Sequence, residues 1–295
     1  MSAISSPISS RVSKQQPEKP SHNRSGEGAW VMKHQLHDAT IHIATGGRDF
    51  DATGNVVVLL HGSGQNHLTW VLQSRYLAHR GFAILAPDLP GHGLSGGSPL
   101  DSIEAMTGWL IQLLDSLGVA TATLIGHSQG VLIALETAAK HPDRIKALGL
   151  IAGAMAIPVN EFLVNMSETA LEKAIKMMTS WGHGPSAHMY DNSMPGHSFL
   201  GFGRRVMDMN NRDALLADLK ACNAYTTGKD AAASITQPTI CILAQEDKMT
   251  PLKSGMGMGE SIAGAETMVI PKAGHFLPAE APLDVNAALQ RFLQN

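Results

Sequence analysis

A chain of 295 residues, 44% hydrophobic and 16% charged, is long enough for one large domain with an insertion and can bury a sizeable core, which excludes a disordered protein. A formal net charge of −3 gives no basic stripe for nucleic acid, and no run of about eighteen apolar residues is present to span a membrane as a helix. Cys222 and Cys241 have neither metal nor disulfide spacing, read as buried thiols in a reducing compartment, and make a cytoplasmic protein the expectation.

Residues 1–28 are rich in Ser, Pro, Lys, Arg and Gln and read as a disordered tail. They lack the apolar region of a secretory signal, and their amphipathic pattern is poor for an organellar transit peptide. From Trp30 to Ala44 apolar and polar residues alternate around Asp38, which predicts a β-hairpin. In NVVVLLHGSG, Val56 to Leu60 is an unbroken apolar run that suits a strand buried on both faces. A helical segment over Leu68–His79 ends at Gly81, and FAILAPDLPGHG supplies a second buried strand and a turn-rich loop.

Residues 101–117 predict a helix with a capping-box-like start at Asp101 and Glu104, an apolar stripe from Ile103 to Leu117, and Gly118 as its stop. TATLIGHS is the third buried strand, Val131–Lys140 a helix stopped before Pro142, and IKALGLIAGA a fourth strand. Strands alternating with helices imply right-handed crossovers, hence an α/β fold with a mostly parallel, doubly wound sheet and helices on both faces.

The alternation breaks between about 154 and 236, where helix-like pieces at Leu171–Met178 and Ala214–Ala224 flank the Gly-, Pro-, His- and Ser-rich stretch 181–203. We read 154–236 as a helical cap with that stretch as its loop, since so long a structureless connection is uncommon. The order resumes at TICILAQED and ETMVI and closes with a helix from about Asp284 to Leu293, so the α/β core spans 29–153 and 237–295.

In LIGHSQGVLIAL a single serine, Ser128, stands between Gly126 and Gly130 where a buried strand runs straight into a helix. So abrupt a turn strains the serine backbone, and a Cβ at either glycine would strike the neighbouring elements. The hydroxyl is thereby lifted above the sheet edge, in front of a helix N-terminus with free N–H groups. A bare G-x-S-x-G is short; its place after a buried strand and before an apolar helix is what marks a nucleophile elbow. A serine needs a base, and the base a third group to orient it. His275, in the loop after ETMVI, is the candidate base. Asp247, just past TICILAQE, is the candidate acid, with Glu246 as its rival. Both loops follow the carboxyl ends of strands, where open α/β sheets place their sites. Two N–H donors for an oxyanion are expected from Gln129, next to the serine, and Ser63, in the HGSG loop after the first buried parallel strand.

Together, LLHGSG, PDLPGHGLS, GHSQG, HPDRIKALGLI, the ED…P segment and GHF make the chain resemble the α/β-hydrolase superfamily over roughly residues 30–295. The resemblance implies a Ser–His–Asp triad, carried here by Ser128, His275 and Asp247, and a helical cap at 154–236. It implies no cofactor and no metal. The family's glycine before the acid is Ala244 here, which leaves Glu246 open, whereas the loop after the preceding strand, AGAMA, offers no carboxylate. A serine nucleophile argues against haloalkane dehalogenases and epoxide hydrolases, which use aspartate there.

Eight of the 15 methionines (Met155, Met166, Met177, Met178, Met189, Met194, Met207 and Met209) fall in the cap, either as helix–helix filler or as a pliable wall over substrate. The spacing of His183, His188 and His197 does not suit a metal on one helix face. The expectation is a serine esterase for a small-molecule carboxylic ester, monomeric or a homodimer. The alternatives are a carbon–carbon bond hydrolase, for which Arg204, Arg205 or Arg212 would hold a charged substrate, a haloperoxidase-like enzyme, or a ligand receptor on a hydrolase scaffold.

Overall fold

The computed structural model describes residues 31–189 and 198–294; the tail 1–28 and Trp30 lie outside the described residues. The alternating segment forms an antiparallel hairpin of β1 (Val31–Leu36) and β2 (Ala39–Ala44). Then come β3 (Val56–Leu60), a 3₁₀ turn at His67–Trp70, α1 (Val71–Ala78), β4 (Ala83–Pro87), α2 (Ile103–Ser116), β5 (Ala122–His127), α3 (Gln129–Lys140) and β6 (Ile145–Ile151). Six helices follow among the described residues: α4 (Glu161–Thr169), α5 (Leu171–Gly182), α6 (Pro185–Met189), α7 (Phe199–Asp208), α8 (Ala214–Ala224) and α9 (Gly228–Ser234). The chain closes with β7 (Thr239–Ala244), α10 (Leu252–Ser261), β8 (Glu266–Ile270), α11 (Leu277–Glu280) and α12 (Pro282–Gln294).

The strands form one eight-stranded sheet in the order β1-β2-β4-β3-β5-β6-β7-β8. β2 meets β4 antiparallel, and from β4 to β8 every neighbour is parallel. The unbroken apolar strands are explained by cover on both faces. Val56, Val58 and Leu60 point into one core with Leu124, Leu148, Leu150, α2 and α3. Val57 and Leu59 point into the other with Ile125, Ile240, Ile242, Leu77, Val285 and Leu289.

Local readings differ in four places. The N-cap of α2 is Ser102, whose Oγ accepts the Ala105 N–H at 3.2 Å, not Asp101; Ser102 holds the extended backbone a cap needs (φ −151°). α3 starts at Gln129, two residues earlier than the apolar pattern suggests, because Gln129 and Gly130 are helical without being part of the stripe. The segment read as one helix over Leu68–His79 is a 3₁₀ turn followed by α1. The Gly-rich stretch read as the insertion's loop contributes α6 and α7. Within the insertion, Leu163, Ala174, Ile175, Met178, Met207, Leu215 and Leu219 form a small core of their own. Its last helix, α9, instead buries Ala231 and Ala232 in the main core.

Candidate active site

β5 passes into α3 at Ser128, which takes φ 54° and ψ −118°, a region a non-glycine residue enters only under strain of about 1–3 kcal/mol. The flanking glycines permit it. A Cβ on Gly126 would lie 2.2 Å from the Gly130 carbonyl oxygen, and one on Gly130 would lie 2.3 Å from that of Leu60. The turn is held by the Ser128 N–H on Ile151 O (3.1 Å) and by the Val131 N–H on Ser128 O (2.8 Å).

His275 and Asp247 meet. The imidazole Nδ1 is 2.9 Å from Asp247 Oδ2, and both side chains are buried. The other carboxylate oxygen, Oδ1, accepts the backbone N–H groups of Met249 and Thr250, each at 2.8 Å. The Thr250 hydroxyl stands 2.8 Å from Oδ2. Burial pushes the Asp247 carboxyl up, but the facing His275 and the Thr250 donors outweigh it and hold it below the usual carboxylate range. The rival Glu246 is half-buried and gives its backbone N–H to Ala273 O, with no described contact to His275. Among the described residues no hydrogen bond joins Ser128 Oγ to His275.

The HGSG loop packs behind the serine: a Cβ on Gly62 would touch that of Ser128 at 3.0 Å. Its N–H groups are largely committed. Gly62 donates to Gln65 Oε1 (3.3 Å), Gly64 to Asp218 Oδ2 (2.7 Å) and Gln65 to Gly62 O (3.1 Å). Those of Ser63 and Gln129 have no acceptor among the described residues.

Three groups escaped the sequence reading. Glu280, on α11, clamps the base loop: its Oε2 accepts the N–H of Gly274 (3.0 Å) and of Gly184 (2.8 Å), and Oε1 that of Phe276 (3.1 Å). Burial outweighs these bonds and holds its carboxyl above the usual range. His127 donates from Nε2 to the His275 carbonyl (2.7 Å), and burial, then the nearby His275, pull its pKa down to about 3. His92, in the PDLPGHG loop, faces Asp218 of α8 at 2.9 Å with both side chains fully buried. Burial opposes a charge on His92, but Asp218 overcomes it and raises the pKa. PDLPGHG holds His92 and GHSQG holds His127, but neither motif names its partner, since Asp218 and His275 lie far away in the chain.

Beside the base loop lies a small pocket, partly open to solvent, lined by Gln65, Thr69, His183, Phe202, Val206 and Phe276 among others. His183 stacks on Phe276 (4.5 Å between ring centres, 18° between planes), and its Nδ1 donates to Thr179 O at 2.7 Å. Among the described residues no methionine lines this pocket; Met178 and Met207 are filler in the insertion's own core, while Met194 lies outside the described residues. Arg204, Arg205 and Arg212 are exposed and line none of it. His188 donates to Ser180 O, and His197 lies outside the described residues. Both cysteines are buried free thiols, pushed up to about 12 by burial.

A family model described as the alpha/beta hydrolase fold matches residues 55–282. The chain is 23% identical over 253 residues to (E)-2-((N-methylformamido)methylene)succinate hydrolase of Acinetobacter baylyi, covering 82% of this chain and 91% of that protein. It is 28% identical over 262 residues to a 2-hydroxy-6-oxononadienedioate/2-hydroxy-6-oxononatrienedioate hydrolase of Burkholderia vietnamiensis, covering 82% and 88%. Among solved structures, the enol-lactonase of Burkholderia xenovorans LB400 superposes with a TM-score of 0.79 at 23% identity, over 90% of this chain and all of that one. No helix among the described residues is long and apolar enough to cross a membrane.

Proposed function

From the premise that this chain belongs to the α/β-hydrolase family, we propose that it is a serine hydrolase that cleaves a small to medium carboxylic ester through an acyl-Ser128 intermediate. The observation that supports this reading most is the buried His275–Asp247 pair at the strand ends that carry the strained Ser128. Asp247 Oδ2 holds the proton on Nδ1 of His275, which leaves Nε2 with its lone pair free to act as base. Nε2 takes the Ser128 proton as Oγ attacks the carbonyl carbon. The new oxyanion lies against the N–H groups of Ser63 and Gln129. His275 returns the proton to the leaving alkoxide, and the alcohol departs. A water deprotonated by the same nitrogen then cleaves the acyl-enzyme. Nε2 closes on Oγ as the substrate binds, since catalytic contacts often tighten only then.

The pocket beside the His275 loop, whose lining includes neither Ser128 nor His275, carries aromatic and aliphatic side chains with Gln65, Thr69 and His183, and no Lys or Arg among the described residues, so a substrate group that reaches it is uncharged and largely apolar. Helices α4 to α8 act as a cap over this pocket, with α9 belonging to the base of the molecule. A second reading, carbon–carbon bond hydrolysis with the same triad, is favoured by the 28% identity to the dienedioate hydrolase. A doubly charged substrate would need cations, and none line the pocket among the described residues. Hydrolysis of p-nitrophenyl esters of graded acyl length, beside turnover of a vinylogous diketone acid, separates the two. Saturable cleavage of short and medium esters is expected; turnover of the diketone alone would replace the ester reading.

Glu280 is a positioning residue in this scheme. A glutamine there turns an NH₂ toward at least one of the three N–H groups now accepted, and the His275 loop shifts. The Glu280→Gln variant is expected to lose kcat by about 10²-fold with little change in KM, as small misplacements of a reacting group do. An unchanged kcat in separate kcat and KM measurements would remove Glu280 from the scheme. The raised carboxyl of Glu280 has a second sign: its contribution to stability is greatest at acid pH and is lost as pH rises through its folded-state value.

A further inference from the structure

Away from the triad, where β2, the His67–Trp70 turn and the end of β4 converge, three ligand-bearing side chains stand together. His42 on β2 is 3% exposed, and neither Nδ1 nor Nε2 has a hydrogen-bond partner among the described residues. A buried imidazole with no partner at either nitrogen is an anomaly for a folded chain and calls for an explanation. Its ring lies 4.4 Å from that of His67. His67 Nδ1 in turn lies 2.9 Å from both carboxylate oxygens of Asp88. That carboxylate is itself fixed by the N–H groups of His67 (2.6 Å) and Leu94 (2.9 Å). One ligand atom from each of His42, His67 and Asp88 lies within 4.8 Å of the other two.

We propose that His42, His67 and Asp88 form a binding site for a divalent transition ion of the zinc class. Two imidazole nitrogens and one carboxylate oxygen are a donor set such ions accept, at about 2.0–2.2 Å from the metal. Ligands at that distance stand about 3.0–3.4 Å from one another in octahedral or tetrahedral arrangement. The His67–Asp88 pair has this spacing, and the His42 nitrogen has less than about 2 Å to close. On binding, the ion takes the lone pairs of His42 and His67 Nδ1 and one oxygen of Asp88, and the proton now shared by His67 and Asp88 leaves to solvent. The backbone donors on Asp88 then act as the outer contacts that orient a metal ligand. The His67 side chain, 12% exposed, leaves a way in. The three residues come from separate elements, so the ion would tie β2, the turn after the HGSG loop and the PDLPGHG loop together, at a distance from the serine. Its effect would be on stability.

The full chain, stripped with a chelator and dialysed, would be titrated with Co²⁺ as an optical probe and then with Zn²⁺, with bound metal counted by mass spectrometry and Tm followed throughout. One ion per chain, a d–d absorption displaced by Zn²⁺ and a raised Tm are expected. His42→Phe keeps a planar ring, somewhat larger than the imidazole, without orphaned nitrogens. It should fold with a metal-free Tm at or above that of the parent, and bind the ion at least tenfold more weakly. His67→Gln, at the rim, should do the same to binding. Folded wild type that takes up neither ion, or a His42→Phe variant that binds as the parent does, would overturn the proposal.

Discussion

Replacement of Ser128 by alanine is expected to lower turnover by on the order of 10⁶ and to abolish labelling by a fluorophosphonate, because in such a triad the nucleophile, base and acid act as one unit. The fold should survive the change. Alanine can take the same φ of 54° at the same strain, and the serine side chain makes no hydrogen bond among the described residues. A Tm within a few degrees of wild type, measured beside intact mass after labelling, therefore separates lost chemistry from lost structure. Labelling of wild type alone, at a single added phosphonate, is the expected result. A folded wild type that takes no label would mean an unactivated serine, and would move the ligand-receptor reading ahead of the hydrolase.

Asp247→Asn should cost about 10⁴ in kcat/KM while leaving the active-site geometry almost unchanged. The reason lies on the far side of the carboxylate. Oδ1 is fixed between the N–H groups of Met249 and Thr250. An asparagine must turn its oxygen to those two donors and its NH₂ toward His275. Nδ1 then has to accept, the imidazole proton moves to Nε2, and the base can no longer take a proton from serine. A loss below tenfold would show that Asp247 does not orient the base. The carboxylate also carries a pH signature. Its folded-state pKa lies below the usual range, so its contribution to stability is complete at neutral pH and disappears only as pH falls through that depressed value. Acid melting curves of wild type and Asp247→Asn should converge there.

The core was legible because each parallel strand is an apolar run and each crossover helix carries a stripe; Val56–Leu60 and Ile103–Leu114 are enough to show it. Ser128 was legible because the elbow is a local device whose two glycines, strand and helix all lie within a dozen residues. The sequence put Asp247 first as the partner of His275 but left Glu246 as its rival, since adjacent loop residues point in different directions and sequence alone does not tell which faces the imidazole. Glu280, His92 with Asp218, and His42 with His67 and Asp88 were hidden for a related reason. Each is a polar group whose partners are backbone N–H groups or side chains brought up by the fold, and hydrophobic periodicity is silent about such pairs. The helices inside 181–203 were missed because glycine, proline and histidine lower helix propensity, whereas α7 is held by packing of Phe199, Val206 and Met207.

The end of α5 and the base loop are stitched to each other. The His275 N–H donates to Gly182 O at 2.6 Å, Glu280 joins Gly184 to Gly274, and a Cβ on Gly274 would lie 2.3 Å from the Gly184 nitrogen. This edge of the insertion works as a fixed hinge: swinging it outward would carry the imidazole away from Asp247. The pocket beside it is already partly open to solvent, and α7 contributes Phe202 and Val206 to its wall. A displacement at the end of α5 is thereby passed on to the candidate base, so in the proposed hydrolase the insertion and the His275 loop move as one body at this edge.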